Sequence, residues 1–175
     1  MDILASFCSA LVAVNQIPLV AINTVLALCG STLSTYVFSV LIRGKIEIGD
    51  IANASLAGGV AIGATVANVT PGWSMLIGLV AGMISVVGYT IIQPRLQKAT
   101  GGVDTCGVHN LHGMTGVFGG LIAVGLVAAP LWQMAGVIIT VIFAILMGII
   151  VGFVTSRLGR KETPYDDKEE FCVSE

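Results

Sequence analysis

The fold follows from residues 105–156, which read TCGVHNLHGMTGVFGGLIAVGLVAAPLWQMAGVIITVIFAILMGIIVGFVTS and contain no Lys, Arg, Asp or Glu. A second run without charged residues extends from Ile51 to Pro94. Each run is too long for one membrane crossing, which needs about 20 apolar residues. Each also contains a turn signal near its middle, Thr70-Pro71-Gly72 in one and Ala129-Pro130 in the other. The pattern therefore predicts two helical hairpins.

Composition supports the same interpretation for the whole chain. Of its 175 residues, 55% are hydrophobic and 10% are charged, and the mean hydropathy is +0.96. A water-soluble domain of this size would not expose so few charges. One more apolar span, the first in chain order, follows Pro18 and ends at Arg43, which gives five spans in all. The sequence thus predicts an all-α, polytopic membrane bundle at 19–156, with spans near 19–42, 51–69, 73–93, 105–129 and 131–156.

The basic residues predict the orientation of this bundle. All eight Lys and Arg residues follow the first, third and fifth spans, whereas the turns at 70–72 and 129–131 contain none. Cytoplasmic loops carry an excess of Lys and Arg, so the tail at 157–175 is expected in the cytoplasm. Residues 1–18 then form an extracellular lead-in. This orientation favours further helices upstream of the first span.

Both histidines of the chain, His109 and His112, fall within the fourth predicted span. An ionisable ring in hydrocarbon is unfavourable and usually faces a cavity or a pathway. Neutral imidazole has one donor and one acceptor, so it can meet a small polar molecule without carrying charge. The alternative is a buried histidine with one satisfied hydrogen bond. Sequence alone leaves both interpretations open.

The predicted helix from Asp104 to Ala129 places small residues beside His109. Positions that alternate by three and four share one seam, and here the seam consists of Cys106, His109, Gly113, Gly116 and Gly120. Glycines on such a face either admit another helix or leave space. Asp104 is expected to accept hydrogen bonds from the free N–H groups at the helix start. A helix of this length would measure about 39 Å, with His109 about 11 Å from its midpoint.

Two further patterns predict helix packing. Gly78 and Gly82 are one helical turn apart, as are Gly148 and Gly152 in the last span, and each pair would let a neighbouring backbone approach closely. The first span carries a polar stripe, which is expected to bond neighbouring helices or its own backbone. The stripe comprises Thr24, Ser31, Thr35 and Ser39.

Metal and enzyme chemistry find little support in the residues. Thiolate and imidazole are good metal ligands, but Cys106, His109 and His112 would spread over about 120° of one helix. A haem between two helices would need a second histidine-bearing helix. The four cysteines are scattered, so no disulfide framework is predicted. No nucleophile–base set or phosphate loop is evident, and we expect no enzyme, cofactor, metal or nucleic-acid partner.

Several strings resemble the ammonium transporter/Rhesus (Amt/Rh) superfamily, with the Rhesus glycoprotein branch as the nearer match. The most specific is DTCGVHNLHGM at Asp104–Met114. The others are NASLAGGVAIG (Asn53–Gly63), AGMISVVGY (Ala81–Tyr89), AINTVLAL (Ala21–Leu28) and YDDKEEF (Tyr165–Phe171).

The resemblance implies two inverted five-helix repeats around a pore in each subunit of a trimer. This chain would be the C-terminal portion: a helix end at about Asp2–Ala10, four helices of the second repeat and the final helix. His109 matches the second of two pore histidines, and the first would lie upstream. His112 matches a further histidine of the Rhesus branch. Two positions depart from the family, which has Asn at Cys8 and Pro at Thr115.

The function implied by the resemblance is conduction of ammonia, with carbon dioxide as a second candidate gas. The chain would belong to a multi-pass protein of the plasma membrane, in a homotrimer or a hetero-oligomer with related subunits. A bare ammonium ion in a narrow apolar path pays at least several kcal/mol of desolvation, which neutral ammonia avoids. Two alternatives remain: a non-conducting scaffold or regulatory half-subunit, and a haem or metal redox protein.

Overall fold

The computed structural model describes residues 16–104, 106–126 and 128–159, and within them all regular secondary structure is helical. This confirms the predicted all-α class. Several predicted features lie outside the described residues: the lead-in up to residue 15 with Cys8 and the helix end at Asp2–Ala10, Cys172, and the string at Tyr165–Phe171.

The helices, in chain order, are α1 (Ile17–Arg43), α2 (Ile48–Ala54), α3 (Ala57–Ile62), α4 (Pro71–Val87), the π-helical segment π1 (Gly88–Ile92), α5 (Gln93–Thr100), the π-helical segment π2 (His109–Met114), α6 (Thr115–Val124) and α7 (Pro130–Ser156).

Three helices among the described residues are long and apolar enough to cross a membrane: α1, the continuous rod Pro71–Thr100, and α7. Each begins at or next to a proline, which is favourable in the first helical turn. The residue after α1 is Gly44, with φ +73°, and the residue after the rod is Gly101, with φ +69°. Left-handed glycine is a common helix terminator. These bounds lie close to the predicted spans 19–42, 73–93 and 131–156.

The rod from Pro71 to Thr100 contains π1 just before Pro94. Proline has no N–H to donate, and in a regular α-helix its ring would collide with the carbonyl of Thr90, four residues earlier. The wider π turn accommodates this defect. The Thr90 hydroxyl meanwhile donates to the Val86 carbonyl at 2.7 Å.

The two remaining predicted spans differ from the observed helices. The span predicted at 51–69 is divided into α2 and α3, and turns follow Ile62. At the break between α2 and α3, the Ser31 hydroxyl donates to the Ser55 carbonyl. A side chain of α1 therefore satisfies a carbonyl that a backbone N–H would satisfy in one continuous helix. The span predicted at 105–129 is helical only from about His109 to Val124. Left-handed Gly107, with φ +67°, separates this helix from Asp104.

Close glycine contacts hold α4 against α1. A Cβ placed on Gly78 would lie 2.8 Å from the Ala27 Cα, and one on Gly82 would lie 2.9 Å from the Ser31 Cα. Both glycines are therefore packing residues, as predicted, because any side chain there would push the two backbones apart. Val20, Ala27, Ala57, Ala61 and Ile62 belong to the buried cluster at the centre of this packing.

The polar stripe of α1 faces inward. Thr24 donates to the Val20 carbonyl at 2.8 Å, Ser31 to the Leu28 carbonyl at 3.0 Å, and Ser39 to the Asp50 Oδ2 at 2.8 Å. The predicted bonding to backbone and neighbouring helices is confirmed for these residues. The buried Thr35 hydroxyl has no hydrogen-bond partner within the described residues. The opposite, exposed face is apolar and includes Ile22, Val25, Leu33 and Leu41.

The chain divides into two compact units within α7, after Val137. In the second unit, the described residues continue α7 to Ser156. No atom of the described residues lies within 4 Å of a Cβ placed on Gly148 or Gly152, so the packing predicted for this pair stays a prediction. The Arg157 guanidinium there lies 4.7 Å from the centroid of the Phe153 ring.

Candidate functional site

The histidine helix, π2 followed by α6, begins at an entry turn consisting of Asp104, Cys106 and Gly107. The Asp104 carboxylate accepts hydrogen bonds from the backbone N–H groups of Val108 and His109, each at 3.0 Å. Free N–H groups at a helix start carry partial positive charge, so a carboxylate stabilises them. The Gly107 carbonyl accepts from the Leu111 N–H at 2.9 Å. The backbone of His109 is thereby bound directly to an acidic side chain.

Two glutamines hold the entry turn from the other side. The Gln93 amide donates to the Asp104 carbonyl, and Gln97 donates to the same oxygen at 3.4 Å. The Gln93 side chain is buried, whereas Gln97 is half-buried. Since both glutamines belong to α5, the end of the rod and the start of the histidine helix are joined through Asp104.

The first turn of the histidine helix is π-helical, from His109 to Met114. A π turn holds more residues than an α turn, and such segments are frequent at functional sites. The Thr115 hydroxyl donates to the Leu111 carbonyl where π2 joins α6.

Both imidazoles lie on the exposed face of this helix. His109, His112 and Gly113 are exposed, whereas Asn110, Leu111 and Thr115 on the opposite face are buried. A Cβ on Gly113 would lie 3.8 Å from the His109 Cδ2, so the ring stands beside bare backbone. Within the described residues neither histidine belongs to the buried core, and the choice between a pore-facing and a structural role stays a prediction.

The predicted seam is only partly present. Cys106 lies in the entry turn, exposed and outside the helix. A Cβ on Gly116 would lie 3.7 Å from the Val60 Cγ1, and one on Gly120 would lie 2.7 Å from the Val137 Cγ2. Gly120 therefore packs against the first turns of α7 and does not share the open face of His109.

The seam was predicted for a regular α-helix that starts at Asp104. Left-handed Gly107 breaks a regular helical backbone between Asp104 and the observed helix start. The π-helical segment π2 also changes the angle between successive side chains. Among the glycines of the predicted seam, Gly113 is the one whose Cβ position lies within 4 Å of the His109 ring. In the part of the chain that the structure describes, no three His, Cys, Asp or Glu residues form a group that could hold a metal ion.

An ion pair near the entry turn was not foreseen from the sequence. Arg43 Nε lies 2.9 Å from Asp50 Oδ2, and Arg43 Nη2 lies 3.1 Å from Asp50 Oδ1. The Asp50 carboxylate also accepts from Ser39 and is fully buried. In the sequence, Arg43 marks the end of the span at 19–42 and is one of the basic residues that predict the orientation. The available signal was a single acidic residue at the start of a long uncharged run, seven residues after a basic helix end.

Comparisons with known proteins agree with this architecture. Residues 5–170 match the model of a family described as Ammonium Transporter Family. The chain is 39% identical over 162 residues to Ammonium transporter Rh type B of Xenopus tropicalis, a match that covers 75% of this chain and 35% of that protein. It is 47% identical over 106 residues to Ammonium transporter Rh type A of Canis lupus familiaris, covering 59% of this chain and 26% of that protein.

A solved structure has the same fold. The structure reported as "Nitrosomonas europaea Rh50 and mechanism of conduction by Rhesus protein family of channels" superposes with a TM-score of 0.85 and 44% identity, over 98% of this chain and 46% of that one. The chain thus spans about a third of the length of the Rh type B relative and just under half of the Rh50 chain. Its helices are those of a multi-pass membrane protein. The resemblance predicted from the sequence strings is confirmed, and the chain belongs to the Ammonium Transporter Family, with Rh-type proteins among its relatives.

Proposed function

We propose that this chain forms part of a Rhesus-type channel for ammonium or ammonia, and that the open face with His109 and His112 lines the pore. The observation that carries the proposal is the exposure of both imidazoles on a helix whose other face is buried. Ionisable side chains in membrane proteins face cavities or pathways. In this proposal a segment outside the sequence covers the open face and completes the pore.

The local chemistry suits a small, neutral polar molecule. Ammonium would lose its hydration shell in a narrow apolar path, a penalty of at least several kcal/mol, whereas ammonia avoids the charge term. A neutral imidazole at His109 can offer either one donor or one acceptor to ammonia. Gly113 has no side chain to fill the space beside that ring. In this proposal Asp104 stabilises the start of the pore helix, and Gly113 keeps the face beside His109 open.

The remaining parts of the proposal follow the family. The channel acts in the plasma membrane as a homotrimer or a hetero-oligomer with related subunits, with its C-terminus in the cytoplasm. Carbon dioxide is a second candidate gas, because it is small and uncharged. The protein moves its substrate without chemical conversion, so it is not an enzyme.

The test is the substitution His109→Ala in the complete protein that contains this chain, reconstituted into liposomes. Internal pH is followed after an ammonium gradient is imposed. We expect ammonium-dependent flux to fall about fivefold to tenfold, the effect of losing one hydrogen bond to the conducted molecule. Leu121→Ala, at an exposed apolar residue of the same helix, is the matched control and should leave the flux intact. Equal flux and selectivity in His109→Ala and the wild type would refute the assignment.

A non-conducting scaffold or regulatory half-subunit is the alternative. The two functions differ in what the full transcript encodes. Contiguous upstream coding sequence with a second pore histidine would decide for the channel. A transcript without such sequence, whose product folds only with a related subunit, would decide for the scaffold.

A further inference from the structure

The side chain of Tyr89, on π1, fills the space between three parts of the bundle. Its Cδ2 and Cε2 atoms lie 2.9 and 3.0 Å from the place that a Cβ on Gly107 would occupy. Its hydroxyl and Cε1 atoms, on the other edge of the ring, lie 3.7 and 3.9 Å from the corresponding place on Gly49. The guanidinium carbon of Arg43 lies 5.8 Å from the ring centroid. One aromatic ring therefore meets the end of α1, the start of α2 and the entry turn.

The ring is itself held from the side of α1. Arg43 is fixed by two hydrogen bonds to the buried carboxylate of Asp50. A guanidinium within about 6 Å of a ring centroid is attracted to its face. Since the ion pair sets where the guanidinium lies, it also restricts where the Tyr89 ring can lie.

The entry turn leaves no room for a side chain between Gly107 and this ring. Gly107 needs a left-handed φ of +67°, and its Cα faces both the Tyr89 ring and the Asn110 Nδ2, which would lie 3.1 Å from a Cβ there. Asp104, in the same turn, holds the N–H of His109 through its carboxylate. A displacement of Gly107 toward space vacated by Tyr89 would move the first residue of the histidine helix.

We propose that Tyr89 is a positioning residue for His109. Its ring is held by Arg43 and packs against Gly107. The ring thereby fixes the position of the entry turn and of the His109 imidazole on the open face. The inference rests on the proposed function for its consequence in transport. The positioning itself is a geometric statement that can be measured without transport. Ring volume is the property that matters, because the ring carbons and not the hydroxyl meet Gly107.

The experiment compares Tyr89→Leu, which removes the ring, with Tyr89→Phe, which keeps it, in the complete protein in lipid nanodiscs and liposomes. Tyr36→Leu, at an exposed tyrosine of α1, is the matched control. The readouts are ammonium-dependent flux, thermal unfolding, and the NMR signal of the His109 Cε1–H group in protein with labelled histidine. The signal is assigned by its disappearance in His109→Gln.

We expect Tyr89→Leu to shift the His109 signal and to lower the flux about fivefold, the effect of one weakened hydrogen bond. Tyr89→Phe and Tyr36→Leu should leave both readouts at their wild-type values. Adding Tyr89→Leu to His109→Ala should not lower the flux further, since the tyrosine acts through the histidine. If Tyr89→Leu fails to fold, the flexible Tyr89→Met is measured in the same way.

An unmoved His109 signal in the folded Tyr89→Leu or Tyr89→Met protein overturns the positioning role, whatever happens to the flux. A shifted signal in Tyr89→Phe also overturns it, because the hydroxyl would then be responsible. The proposed function fails separately, if His109→Ala conducts as the wild type does. A shifted signal together with unchanged flux in His109→Ala would uphold the positioning and refute the channel assignment.

Discussion

The contact between α1 and α4 and the open face of the histidine helix contain similar small and polar residues but use them differently. Between α1 and α4, glycines bring the backbones together and most hydroxyls are buried and bonded. On the open face, Gly113 and two histidines are exposed. The difference shows that small residues in a membrane helix indicate a helix contact only where a backbone fills the space beside them. The first region should therefore respond to substitution in stability, and the second in transport.

The largest expected effect on stability is at Gly78. In Gly78→Ala the new methyl group would meet the Ala27 backbone, and overpacking against atoms that cannot rotate away destabilises by about 3 kcal/mol. Gly72→Ala on the same helix is the control, because nothing lies within 4 Å of its Cβ position. Thermal unfolding in detergent measures both. Equal unfolding temperatures in the two variants would show that α1 and α4 are not in tight contact.

Next in size is the loss of the Asp50 carboxylate. Asp50→Ala removes the acceptor of Arg43 and the nearer of the two acceptors of Ser39, which we expect to destabilise the protein by about 2 kcal/mol. This figure lies below the usual range for a broken buried pair, because the Arg43 side chain is 30% exposed and can reach water. Glu47→Ala, in the same connection, should change stability by less than about 0.5 kcal/mol. An effect in Glu47→Ala equal to that in Asp50→Ala would contradict the ion-pair geometry.

A smaller effect is expected at Asp104, which joins α5 to the start of the histidine helix. Asp104→Ala removes the acceptor for the N–H groups of Val108 and His109, and loss of such a cap destabilises by about 1 kcal/mol. Flux should fall as well, because the start of the histidine helix is released. Asp104→Asn keeps one side-chain oxygen and should recover part of both losses. If Asp104→Ala changed flux without any change in unfolding, the carboxylate would act on the conducted molecule instead.

The smallest effect on stability, within about 0.5 kcal/mol, is expected for His112→Ala, because the ring lies on the open face. Ammonium-dependent flux or selectivity should nevertheless change. Unfolding and flux are measured on the same preparation, beside Leu121→Ala as the exposed control. A strong loss of stability in His112→Ala would place this residue with the packed region and contradict the comparison.

Much of the fold could be predicted from single residues and runs. Pro18, Pro71 and Pro130 mark helix starts, and the spans free of charge between Arg and Lys residues indicate membrane helices. The polar stripe of α1 and the packing of Gly78 were also predictable, because each depends on the spacing of residues along one regular helix. The acceptor role of Asp104 followed from its place just before a helix.

The geometry of the site could be predicted only in part. The left-handed conformation of Gly107 and the π turn at His109 do not follow from a run of small residues. Gly107 leaves Cys106 outside the helix, and Gly120 packs against Val137. The break between α2 and α3 depends on Ser31 of another helix. The contact of Tyr89 with Gly107 joins residues 18 positions apart through π1, which no local pattern reveals.

The exposed imidazoles have a consequence for biogenesis. A newly made segment that reached the lipid with His109 and His112 uncovered would hold two polar rings against acyl chains, an unfavourable state that persists until a second surface covers them. In the proposed pore, the segment that covers the open face must therefore dock soon after insertion, or quality-control proteases meet an unshielded helix. Expression of the chain alone and with a complementary segment, followed by pulse-chase measurement of its half-life, would reveal that dependence.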